Sequence, residues 1–228
     1  MILSRWLGYV VNDSADLQPV IFVDPDGKDV ILSPLFSKGE FGKAFNSLKT
    51  GSKTFNTLIS KYENNSKFNL KLTVNTQKVN SNGSAAFTEY AKGQYDKAPS
   101  SLDVTTYFKS TTSVETNYEY TTLGVILVVA HEALHQKIAL LPVKEDSDHN
   151  KYTSELTNVF SEYSKANNLN LSEGDIKDLV FSGQQSSKEF KSYITDLAKN
   201  NNSTYEKEKS NYDTRVSNLI YQKKDESK

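Results

Sequence analysis

The stretch Val125–Ile138, VILVVAHEALHQKI, decides how the rest of the chain is read. It sets His131, Glu132 and His135 in the most apolar run of a chain that has only three histidines among 228 residues. The run Val125 to Val129 alone would suit a buried strand. Length argues otherwise: no proline interrupts Leu123 to Leu141, too long for a typical strand, and Pro142 then blocks continuation. The run therefore predicts one helix, capped by Thr121 or Thr122. A helix apolar on all sides belongs at the centre of a fold. Histidines at i and i+4 project from one face about one turn apart, so both imidazoles can bind a single tetrahedral ion. Glu132, about 100° around the helix from His131, is placed to accept a proton from water on that ion. Two imidazoles and a carboxylate in an apolar core are costly unless something compensates them, and one divalent cation compensates all three.

Composition removes several alternatives. The chain is 36% hydrophobic and 24% charged, a globular balance. A net charge of −1 points to neither nucleic acid nor a membrane surface as partner. Without cysteine there are no disulfides, thiolate zinc sites or cysteine nucleophiles. The longest apolar run, Leu123–Ala130, is less than half of the roughly 18 residues that a membrane span requires. The N-terminal MILSRWLGYVVND carries an arginine in its middle and no small-residue cleavage site, so no secretory signal is expected there.

The His131–Glu132–x–x–His135 pattern is that of the zincin metallopeptidases, H-E-x-x-H, and the chain resembles that superfamily at these five residues and their helical setting. The resemblance implies Zn2+ as cofactor, Glu132 as the catalytic group that activates water, and a protein or peptide substrate. Metzincins extend the motif with a glycine and a third histidine; here Ile138 and Leu141 stand at the corresponding positions and Met1 is the sole methionine, so that class is excluded.

A third protein ligand is needed. His149 lies fourteen residues beyond His135, which places all three histidines within nineteen residues. Glu155 lies twenty beyond His135 and is the alternative; Glu162 is a poorer one. A six-residue step along a helix turns about 240°, so His149 and Glu155 are not expected to share a target, and His149 is favoured. A transition-state oxyanion would need a Tyr, Arg, Asn or backbone donor; Tyr152 and Tyr163, two of thirteen tyrosines, sit on the candidate ligand helix. Asp148 could orient a histidine ligand. The segment from Asp103 to Ser110, read as an edge strand, could align an extended peptide by strand addition.

Around this helix the pattern reads as α+β. Apolar spacing of three and four from Ser37 to Asn64, broken at Gly51, predicts two amphipathic helices. Alternation in Phe68–Gln77 predicts a strand, with weaker strands at 85–92 and 103–110, assembled as a small antiparallel sheet on the buried helix. A helical C-terminal half follows: His149 to about Ala166, Ser172 to about Gly183, Ser186 or Ser187 to about Lys199, and a charged helix from Thr204 that frays into KKDESK.

Two further resemblances bear on setting. Gln18-Pro19-Val20-Ile21-Phe22-Val23-Asp24-Pro25-Asp26-Gly27 is similar to the string that closes the core of bacterial Rhs-repeat proteins, with Gln18 where the family usually has Asn. Read from its residues alone, the same segment is a hairpin turning at Asp24–Gly27. Asp148-His149 and the later Leu179–Gln184, LVFSGQ, resemble the D-H and L-x-W-x-G-L strings of metallopeptidase C-terminal domains on Rhs-repeat-associated proteins, with Phe181 for Trp and Gln184 for Leu. These imply residues 1–35 as the end of an Rhs-associated core and 36–222 as a zincin-like domain; the charged KKDESK end reads as a disordered tail over 223–228. They imply the effector of an exported polymorphic toxin system, with an immunity protein as partner. The alternative is a zincin-fold interaction module without catalysis.

Overall fold

The computed structural model describes residues 30–63, 65–80, 85–90, 98–109, 118–141, 152–185 and 187–223. Strand β1 (Val30–Leu32) lies in the stretch assigned above to the Rhs-like segment; the rest of that hairpin falls outside the described residues. Ser33 caps the short helix α1 (Pro34–Lys38) with Pro34 in its first turn, and α2 (Glu40–Gly51) follows. Gly51 does end α2, and Ser52 caps α3 (Lys53–Ile59) by accepting the Phe55 N–H. Next come β2 (Phe68–Val74), the one-turn α4 (Thr76–Asn80), β3 (Ala86–Tyr90) and β4 (Leu102–Phe108).

These four strands form one sheet in the order β1-β2-β4-β3. The expected antiparallel sheet is corrected here: β1 runs parallel to β2 and β2 parallel to β4, and only β3 is antiparallel. The helices between Leu32 and Phe68 supply the long crossover that a parallel pair requires. A second correction concerns the expected edge strand: β4 is interior, and β3 is the edge strand on that side of the sheet. Along β4, Leu102, Val104, Thr106 and Phe108 are buried while Asp103 is exposed, so one face of the sheet looks inward.

Strand β5 (Tyr118–Tyr120) leads into helix α5 (Thr122–Ala139), the predicted central helix. Thr121 caps it, its Oγ1 accepting the Gly124 N–H at 3.0 Å. Val125 to Ala130, Ala133, Leu134, Ile138 and Ala139 are all buried. Burying each of the larger aliphatic side chains contributes roughly 1.5–3 kcal/mol, which makes α5 the axis on which the other layers dock. Helices α2, α3, α6 and α9 and strands β3 and β4 all pack on it.

The C-terminal half is helical, as expected: α6 (Thr153–Ala166), α7 (Glu173–Phe181), α8 (Lys188–Asn200) and α9 (Tyr205–Ile220). Ser172, Ser187 and Thr204 cap the last three. The final helix does not simply fray. Strand β6 (Tyr221–Lys223) pairs antiparallel with β5, tying the C-terminal segment to the entrance of α5. The protein is therefore a mixed α+β structure with a small sheet and several helices. Among the described residues no helix is long and apolar enough to cross a membrane.

Candidate metal centre

His131, Glu132 and His135 converge at the middle of α5, and one ligand atom from each lies within 4.8 Å of the others. The two imidazole Nε2 atoms are 3.1 Å apart. Two nitrogens each about 2.05 Å from a tetrahedral Zn2+ stand roughly 3.3 Å apart, so the spacing fits one ion between them. Both histidines are half-buried, whereas Glu132 is buried between α5 and the sheet. The donor set suits zinc or a similar borderline cation: two neutral imidazoles with a carboxylate alongside.

Glu132 is held from the sheet. Its Oε2 accepts a hydrogen bond from Thr88 Oγ1 on β3 at 2.7 Å. Thr88 and Thr106 lie directly opposite each other in the β3–β4 pair, and their hydroxyls are 2.9 Å apart. Gln136, one turn beyond Glu132, donates from Nε2 to Thr106 Oγ1 at 2.9 Å. The Gln136 carbonyl, in the last turn of α5 where no helical partner remains, accepts from the buried Tyr62 hydroxyl at 2.7 Å. Burial pushes the Glu132 carboxyl up to about 7, with the Thr88 hydrogen bond pulling the other way. A cation beside it would favour the ionised form.

Gly183, just past α7, lies against the His131 ring. A β-carbon there would stand 3.0 Å from His131 Cε1 and 3.3 Å from Nδ1, so the glycine leaves room for the ring. The LVFSGQ string therefore reaches the site through Gly183.

The remaining sequence candidates lie elsewhere or outside the described residues. His149 and Asp148 are outside them. Glu155, on α6, pairs with Lys137 at 3.1 Å. Lys137 projects from α5 roughly 140° away from the shared His131–His135 direction, so Glu155 is turned from the two rings. Glu162 takes the Ser52 hydroxyl and the Thr54 N–H and hydroxyl at the start of α3. Tyr163 accepts from Ser47, and Lys137 sits over the Tyr152 ring. Thr88, Thr106 and Gln136 escaped the sequence reading. Only the glutamine gave a local sign, as a polar residue one turn after Glu132 in an apolar run.

No family model matches the chain, and no curated protein or solved structure does either. The fold and site alone define the class: an α+β protein with a His-Glu-His cluster on a buried helix.

Proposed function

We propose that the chain is a zinc-dependent metallopeptidase with a zincin-like fold, hydrolysing peptide bonds by the attack of water. The observation that carries the reading is the 3.1 Å approach of the His131 and His135 Nε2 atoms with the Glu132 carboxylate alongside. His131 and His135 would hold the ion. His149 is the proposed third ligand, and the pairing of Glu155 with Lys137 supports that choice over the alternative. Bound Zn2+ supplies Lewis-acid activation of water and of the scissile carbonyl. Glu132 accepts the proton of the attacking water and returns it to the leaving amine. Its Oε2 is engaged by Thr88, so Oε1 is the oxygen that Thr88 leaves for this transfer. Strand β3, at the sheet edge and in contact with Glu132 through Thr88, is the strand on which an extended peptide would align.

The resemblance of its early residues to an Rhs-associated core supports a role as the effector of a polymorphic toxin system, with an immunity protein as partner. The second reading is an interaction module of the same fold that keeps the ion and lacks the reaction. One experiment separates them. Purified protein should carry about one zinc per chain and cleave an unstructured protein such as casein. Glu132→Gln should keep the metal and lose the cleavage. His149→Ala should lose metal, and Glu155→Ala should retain it; the reverse pattern moves the third ligand to Glu155. Full metal with no cleavage in any substrate favours the silent module. No metal at all ends both readings.

A further inference from the structure

We infer that Thr88 is the positioning residue for the Glu132 carboxylate, oriented for that task by Thr106 and Gln136. The inference deepens the proposed hydrolase and rests on it for its kinetic consequence, but its structural claim stands on hydrogen-bond direction alone. An amide nitrogen only donates, and each threonine hydroxyl carries one proton. Gln136 Nε2 donates to Thr106 Oγ1 at 2.9 Å, which leaves the Thr106 proton for Thr88 Oγ1, again at 2.9 Å. The Thr88 proton then goes to Glu132 Oε2 at 2.7 Å. The chain runs one way and ends on one chosen oxygen. Oε2 is committed as an acceptor, and Oε1 is left for chemistry.

A packing role would not call for these residues. Thr106 is fully buried, and Gln136 and Glu132 nearly so, between Leu102, Val104 and Phe108 of β4 and the apolar face of α5. Valine has the shape of threonine without the burial cost of its hydroxyl, and a polar network inside an apolar layer is favourable only when its members satisfy one another. Gln136 Oε1 is buried with no hydrogen-bond partner among the described residues. The amide therefore carries a cost at one end while its other end orients Thr106. That arrangement fits a device retained to aim Glu132.

The test has two arms. In metal-free protein, urea unfolding of Thr88→Val, Glu132→Met and the double variant measures their coupling. The expected coupling is roughly tenfold in the unfolding equilibrium constant, and additive effects overturn the inference. In zinc-loaded protein, Thr88→Val should keep full metal content and KM while kcat falls roughly 10- to 100-fold. Thr88→Ser, which restores the hydroxyl, should recover to within about threefold. An unchanged kcat in Thr88→Val, or a Thr88→Ser variant as slow as Thr88→Val, overturns the positioning role. Should Thr88→Val not fold, Gln136→Met replaces it and carries the same expectations in both arms. Measured coupling in a wild type that cleaves nothing would sink the hydrolase reading and leave the positioning of the carboxylate intact.

Discussion

Gly183 and His131 touch so closely that the imidazole occupies the space a side chain at 183 would need, 3.0 Å from a β-carbon to Cε1. The Gly183 backbone does not lie in the left-handed region, so an alanine there would press on the ring without straining the chain. The glycine serves the site.

Gly183→Ala should therefore tilt the His131 ring away from the point it shares with His135. Zinc affinity, measured by chelator competition, is expected to fall roughly 10- to 100-fold, the range seen when groups supporting a metal ligand are disturbed. Thermal stability of the metal-free protein should change by only a few degrees, the scale of a roughly 1 kcal/mol effect in a chain of this size. Unaltered affinity would mean that the His131 position does not depend on this contact.

The second prediction concerns pH. Burial raises the Glu132 carboxyl from 4.5 to about 7 in the folded protein. In the metal-free state the folded form thus holds a proton that the unfolded form releases between those values. Its contribution to stability is complete below about 4.5 and lost as pH rises through about 7. The shift corresponds to roughly 3 kcal/mol. Glu132→Gln has no such group, so metal-free wild type should weaken relative to it between pH 4.5 and 7. Denaturant unfolding at several pH values measures the difference. A gap between the two proteins that does not vary with pH would contradict the burial-driven shift.

Much of this architecture follows from local chemistry and could be read from the chain. Ser172 and Thr204 were legible as helix starts, and Thr121 and Ser187 to within one residue (Thr122 and Ser186 being the rivals), because a cap is a hydroxyl meeting a backbone N–H within its own first turn. The His131–His135 pairing was legible for the same reason, since one helical turn sets it. Strand direction was not. The alternation in Phe68–Val74 and Leu102–Phe108 is the same in either direction, and what makes these strands parallel is the path between them, in which β3 intervenes and pairs antiparallel with β4. Partners distant in sequence were equally hidden. Nothing local announces that Thr88 meets Glu132, forty-four residues away, or that Glu155 is held by Lys137.

The third prediction is an asymmetry in the C-terminal helices. Asp178 on α7 is buried and receives Arg215 Nε at 2.6 Å and the Tyr193 hydroxyl at 2.7 Å, joining α7, α8 and α9. The Arg215 side chain is 40% exposed and the Asp178 side chain 2%. Arg215→Met leaves a buried carboxylate with its charge partner gone and should cost about 3 kcal/mol. Asp178→Asn leaves an arginine that can turn to water and should cost about half as much. Urea unfolding of the two variants reads the difference, and equal costs would show that Asp178 is solvated when its partner is removed.

The last prediction tests how the C-terminal segment is joined to helix α5. Gly124, in the first turn of α5, packs against the Ile220 carbonyl at the end of α9, and a β-carbon at 124 would overlap that oxygen. Thr121 reinforces the junction, its hydroxyl donating to the Leu219 carbonyl at 2.6 Å while its N–H meets the Ile220 carbonyl at 3.0 Å. Both partners of the overlap are held: the Gly124 N–H by the Thr121 cap, and the Ile220 backbone by the start of β6 paired with β5. Gly124→Ala should therefore force α9 off the first turn of α5. Alanine favours a helix over glycine by roughly 1 kcal/mol, so a freely accommodated methyl would stabilise the protein. Overpacking against backbone costs roughly 1–3 kcal/mol, and here it acts where neither side can yield, so net destabilisation is expected. The change in unfolding midpoint gives the sign directly. A stabilised variant would show that the two helix ends separate easily, and that β5–β6 pairing alone holds the C-terminal segment against α5.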